Sequence, residues 1–244
     1  VESPPLKRKK TVPGHKKWYL SRKPKDRGGT MSTGLHGAIT LSRQMGSGGS
    51  YIGYLVAGQL GFKFIDREVL RQAAEHLGTE VSQLEHRDER SSGLIEKLIR
   101  GFFLGAPEAA ATAQHLKRPV YDRDLFSLEC RIMNEIAERY STVIIGRGGF
   151  HALRNRPAGS VIRVFIHAPL EFRVSRIMKA RNILDTEEAR SIVEESDHRR
   201  ARFIRDMVGV EWTDARNYHL CIDSSVAGFP RSVEMIAGLV GKPS

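Results

Sequence analysis

The chain has 244 residues, 40% of them hydrophobic, and a formal charge of +11. This is enough apolar material for one large domain or two small ones. Two cysteines, Cys130 and Cys221, are too few for a disulfide framework, and no apolar run approaches the ~18 residues of a helical membrane span. With no apolar segment after the basic start, the expected setting is cytoplasmic and reducing.

The charge is unevenly placed. Residues 1–35 hold ten Lys/Arg against Glu2 and Asp26, a local +8, which leaves +3 for the other 209 residues. This stretch is rich in Lys, Pro, Gly and Ser without an apolar period, so it reads as a disordered basic extension ahead of a domain over 36–244. Met31 offers a start directly before the first strand. A basic arm of this kind also suits RNA, which keeps a nucleic-acid partner open for residues 1–30 alone.

Residues 38–60 organise the rest. An apolar run (Ala38, Ile39, Leu41) meets Gly46-Ser47-Gly48-Gly49-Ser50, which opens into a helical pattern with Ile52, Leu55, Val56, Ala57 and Leu60. Backbone N–H groups can converge on an anion only where β-carbons are absent, and the helix start adds partial positive charge. The stretch therefore predicts a nucleotide phosphate loop, with a tight strand-to-helix turn as the plain alternative. It has Gly49 where GxxxxGK[ST] has lysine.

Gly61 closes the first helix, and Gly61–Arg67 reads as a short strand ending in charge and pairing in parallel with the first, followed by a helix over Glu68–Leu77. Residues 79–119 read as a helical cap. Tyr121–Tyr140 predicts a helix with Leu125, Leu128, Ile132 and Ile136 on one face, and the unalternating Thr142–Ile145 a strand buried on both faces. Val161–His167 is a fourth strand. Pro169 opens a helix burying Leu170, Val174, Ile177 and Met178, with Arg173 and Arg176 on another face. Asp185 and Glu188 resemble a cap for a long polar helix to about Arg205, and His219–Asp223 with a helix from Pro230 to Val240 completes the chain.

Five strands alternating with helices predict an α/β fold with a five-stranded parallel sheet covered on both faces. Ligands of such sheets bind beyond the strands' carboxyl ends. Those ends carry Arg43, Asp66 with Arg67, Arg147, His167, and Asp223 with Ser224. Arginines beside a glycine loop favour a polyanion, because guanidinium binds phosphate oxygens bidentately. Taken singly, Asp66 also reads as a helix cap, Asp197 with Arg200 as a solvated i,i+3 pair, and His167, His219 and both cysteines as packing residues.

The segments ITLSRQMGSGGSYIG, LGFKFIDREVL, VIIGRGG, HAPLEFRVSRIM, EESDHRRARFIRD and YHLCIDSS resemble the cytidylate kinase-like family of P-loop nucleoside monophosphate kinases, over roughly 37–240. The resemblance implies a three-layer P-loop kinase core, a monophosphate-binding cap at about 67–120, a lid at about 182–210, and transfer of the ATP γ-phosphate, with Mg²⁺, to a nucleoside monophosphate such as CMP. It further implies that Gly46, Ser47, Gly48, Gly49 and Ser50 hold ATP, with Ser50 meeting Mg²⁺. Asp66, Arg67 and Arg71 would lie near the acceptor, Arg71 one residue out of register. Arg147 would sit at the base-binding side, and Asp197 and Arg200 would form a lid pair whose arginine reaches the transferring phosphoryl group. Gly49 and Gly148 depart from the family pattern, standing where it has the loop lysine and a base-binding aspartate. Arg43, and after it Arg147, are the expected replacements for the missing cation. The alternatives are a non-catalytic nucleotide-binding or regulatory protein that keeps the fold without the lysine, and, through the basic arm, an RNA-associated protein.

Overall fold

The structure, a computed structural model, describes residues 37–66, 70 and 123–240. The basic extension, most of the expected cap, and Arg67 and Arg71 lie outside the described residues.

Five strands form one parallel sheet: β1 (Ala38–Arg43), β2 (Lys63–Ile65), β3 (Thr142–Ile145), β4 (Val161–His167) and β5 (Leu220–Asp223), in the order β2-β3-β1-β4-β5. Between them run α1 (Gly49–Leu60), α2 (Arg123–Arg139), the short α3 (Gly149–Ala152), α4 (Leu170–Arg181) and α5 (Thr186–Val208). A 3-10 turn (Ala215–Asn217), the short α6 (Ser224–Ala227) and α7 (Phe229–Leu239) complete the described elements.

Alternation along the central strands divides the core. Ile39, Leu41, Val143 and Ile145 face α1 and α7, where they meet Ile52, Val56, Val233 and Ile236. Ala38 and Ile144 face the other way and meet Ile132, Met133 and Ile136 of α2. Both faces are thus covered, as the unbroken apolar strands predict. A third cluster packs the end of α5 on the sheet through Ile204, Phe150, Phe165, Trp212 and Tyr218. A fourth joins α4 to α5 through Val174, Ile177, Ala189 and Val193.

Three expectations are corrected. β2 pairs with β3 rather than with β1. The three-residue, half-exposed β2 can serve as an edge, whereas fully buried β3 needs neighbours on both sides. On α2 the buried stripe runs through Phe126, Glu129, Ile132, Met133 and Ile136, leaving Leu125 and Leu128 at its border. Cys221 is exposed, because β5 is the other edge strand.

After β1 the chain builds β2 and β3 on one side and then crosses to β4 and β5 on the other. The loop after β1 therefore sits where the connection reverses, the usual ligand position in open parallel sheets.

Candidate phosphate-binding site

The loop between β1 and α1 is fixed from several directions. Gln44 N–H donates to the Ile166 carbonyl at 3.0 Å, and the Gln44 side chain accepts from Ala168 N–H at 3.3 Å. Ser47 is fully buried, and its hydroxyl donates to the Gln44 carbonyl at 2.9 Å. The Ser47 carbonyl in turn accepts from the Ser224 hydroxyl at 2.7 Å, beyond the end of β5.

The glycines answer to two demands. Gly46 and Gly48 both have φ +82°, in the left-handed region that suits glycine. A β-carbon on Gly46 would lie 2.7 Å from the Arg173 carbonyl oxygen, and one on Gly48 would lie 2.5 Å from the Phe229 ring. The loop thus lies directly on α4 and on the start of α7.

Asp197 of α5 fastens the long helix to this loop. Its carboxylate accepts from Met45 N–H at 2.8 Å, from Arg200 at 2.8 Å and from Arg173 at 2.6 Å. Arg173 also donates to the Met45 carbonyl at 3.1 Å and to the Ala168 carbonyl at 2.9 Å. Asp197 and Arg173 therefore hold the Met45 backbone by both its N–H and its C=O. Sequence reasoning gave Arg173 no site role; the available signal was its place one turn from Arg176, on the helix that faces the loop. Arg176 stacks 4.3 Å from the Phe229 ring centroid, and burial holds its guanidinium below the usual arginine range.

Arg43, at the end of β1, donates through Nε to the Ser50 hydroxyl at 3.2 Å. Its guanidinium passes over Gly146, where any β-carbon would collide with it. Arg43, Arg147, Arg199 and Arg200 line a cleft of about 330 Å³, together with Ser42, Gly146, Gly148, Ser196 and the apolar Phe203, Ile204 and Trp212. Among the described residues no carboxylate lines it.

Arg147 differs from the expectation of an acceptor-binding arginine. It is buried, pairs with Glu129 of α2 through Nε at 2.8 Å and through a second contact from its terminal nitrogen, and stacks 4.8 Å from the Phe203 ring centroid. Glu129 is wholly buried and was not anticipated; a carboxylate inside the apolar stripe of an amphipathic helix was the sign of it. Gly146, Arg147 and Gly148 all have positive φ, so the turn after β3 is left-handed throughout. A β-carbon at Gly148 would lie 3.1 Å from the Phe126 ring.

Asp66 follows β2 at the same carboxyl edge as Arg43. His167 stacks on Phe165, and Asp223 caps α6 by accepting from Ser225 N–H at 2.9 Å. Both fit packing and turn roles. Among the described residues no group of three His, Cys, Asp or Glu could hold a metal ion, and no helix is long and apolar enough to cross a membrane.

A parallel three-layer sheet with a glycine loop opening into a helix at the reversal point is the P-loop kinase fold. The match to the model of the cytidylate kinase-like family over residues 38–226 goes further: the chain belongs to that family, a family of nucleotide phosphotransferases. It is 24% identical over 204 residues to a cytidylate kinase of Methanoregula boonei (strain DSM 21154 / JCM 14090 / 6A8), covering 83% of this chain and 93% of that one. The fold is similar to that of an uncharacterized protein from Eubacterium ventriosum ATCC 27560, with TM-score 0.57, 19% identity, and 84% of this chain and 98% of that one covered. A looser likeness, TM-score 0.43 at 15% identity, is to shikimate kinase from Bacteroides thetaiotaomicron, over 83% of this chain and 97% of that one.

Proposed function

We propose that the protein transfers the γ-phosphoryl group of Mg²⁺-ATP to a nucleoside monophosphate, with a CMP- or dCMP-like acceptor favoured. The observation that carries this reading is the loop itself: Gly46–Ser50 pinned to the sheet, with Arg43 on the Ser50 hydroxyl and Arg200 in the same cleft. The favoured acceptor draws on the family and on the cytidylate kinase of M. boonei.

In this mechanism an oxygen of the acceptor phosphate attacks the γ-phosphorus in line with the departing β–γ bridging oxygen. ADP leaves, and no covalent enzyme intermediate forms. Backbone N–H groups of the Gly46–Ser50 loop bind the donor phosphates, Arg43 and Arg200 balance charge on the equatorial oxygens, and Asp66, Arg67 and Arg71 serve the acceptor side. Asp197 is a positioning residue, holding Arg200 and the loop in register. Mg²⁺ arrives as part of the nucleotide substrate. Among the described residues the Ser50 hydroxyl accepts from Arg43 Nε, which leaves an oxygen lone pair for the ion, so the residue fits that role. Residues 67–120 and 182–210 would act as cap and lid, and the setting would be cytoplasmic.

Coupled detection of ADP over a panel of monophosphates with Mg²⁺-ATP tests the proposal. Phosphoryl transfer depends on placed charge, so Arg200→Ala and Ser50→Ala are each expected to lower turnover roughly 10²-fold or more while melting stays close to wild type. Wild-type rates in both variants would remove those roles. ATP binding without ADP release for any acceptor would make the chain a nucleotide-binding protein instead.

A further inference from the structure

In the pattern GxxxxGK[ST] the first position is glycine and the seventh is lysine. With Ser50 as the closing hydroxyl residue, those two positions fall on Arg43 and Gly49. The chain carries a cation where the pattern has glycine, and glycine where the pattern has the cation.

The structure ties the two substitutions together. A β-carbon on Gly49 would overlap the Cβ of Arg43, and it would lie 3.0 Å from Arg43 Cγ and 3.2 Å from Ile166 Cβ. Arg43 is registered opposite Ile166 in the sheet, so its Cβ cannot retreat without unpairing β1 from β4. Gly49 lacks the positive φ of its neighbours Gly46 and Gly48, so backbone conformation does not explain its glycine. The Arg43 side chain does. Further out, the guanidinium occupies the space above Gly146 and reaches Ser50.

We propose that Arg43 and Gly49 form a coupled exchange. Arg43 delivers to the donor phosphates, from the strand side, the positive charge that a loop lysine delivers from the helix side, and position 49 is glycine because the Arg43 stem fills its β-carbon space. The charge half of this proposal rests on the kinase reading; the steric half stands without a nucleotide. A guanidinium also changes the geometry of the contact, since its planar fork can bridge two phosphate oxygens where an ammonium acts as a point charge.

A substitution cycle at the two positions tests both halves. Arg43→Gly is expected to weaken calorimetric binding of Mg²⁺-ATP by about tenfold or more. The double variant Arg43→Gly/Gly49→Lys is expected to recover part of that loss, while Gly49→Lys alone melts lower than wild type and binds no better. Should Arg43→Gly fail to fold, Arg43→Met measures the same loss, and Arg43→Lys is expected to retain binding. For the steric half, Gly49→Ala should lower the melting temperature more beside Arg43 than in the Arg43→Gly background. Undiminished ATP affinity in Arg43→Gly overturns charge delivery, and equal melting losses in the two backgrounds overturn the steric coupling. A wild-type chain that binds no ATP removes the kinase reading and charge delivery together, and the nucleotide-free melting cycle still judges the coupling.

Discussion

The turns after β1 and β3 use similar parts for opposite ends. Each leaves the sheet at its carboxyl edge, bends through glycines of positive φ, presents one arginine and enters a helix. Arg43 in the first turn reaches the loop hydroxyl that the next helix carries. Arg147 in the second turn is drawn into the interior by Glu129. The first turn of α1 contains no acidic residue, whereas α2 offers a carboxylate from its buried face. An arginine at a strand end can therefore be drawn inward by a carboxylate on a neighbouring helix, as Arg147 is, and strand position alone does not predict it.

The largest effect expected from breaking this contrast is on stability. Removing one member of a buried, doubly bonded ion pair leaves its partner charged and unpaired in the interior, at a cost of about 3–5 kcal/mol. Glu129→Ala should therefore lower the denaturation midpoint sharply, read by chemical unfolding, whereas Ser50→Ala should scarcely move it. An unchanged midpoint for Glu129→Ala would mean that Arg147 is not held by this pair and is available to an acceptor, which would make the two turns functionally alike.

Glu129 also marks where the sequence stops being informative. Strands β1, β3, β4 and β5 and their parallel sheet are legible because runs such as Val-Ile-Ile between turn residues have few other folds open to them, and the Asp185 cap of α5 is legible because it is local. The glycine loop between β1 and α1 is legible for the same reason, being written in consecutive residues. What escapes are pairings across the chain. Arg147 finds Glu129 18 residues away, Arg173 finds Asp197 24 residues away, and Met45 finds Asp197 across 152. Only the packing of α2 and α5 on the sheet creates these pairs. The β2–β3 neighbourhood was hidden likewise, because strand order is set by which strand needs two partners.

A smaller effect is expected on the first turn. Asp197→Asn keeps the shape of the side chain but weakens its charge-assisted bonds to Arg173 and Arg200, and it can still accept from Met45 N–H. The loop loses rigidity rather than its binding groups. Turnover should fall about tenfold or more through kcat, with KM for ATP little changed, because misplacement costs more in the transition state than in the ground state. A rise in KM with kcat intact would instead make Asp197 part of the ATP-binding surface.

The smallest effect reads out the second turn directly. Cys130 follows Glu129 on α2, and burial, then the Glu129 charge, push its thiol up to about 11. Both causes disfavour the thiolate, so the group is protonated at neutral pH and should resist alkylation until strongly alkaline conditions. In a Cys221→Ser background, which removes the exposed thiol, the alkylation rate of Cys130 against pH should rise far above the ~8.5 of an ordinary cysteine. Adding Glu129→Gln removes the repelling charge while leaving most of the burial, so the profile should shift to lower pH yet remain above the ordinary range. A profile at the ordinary value in the Glu129-containing protein would show that water reaches this face of α2.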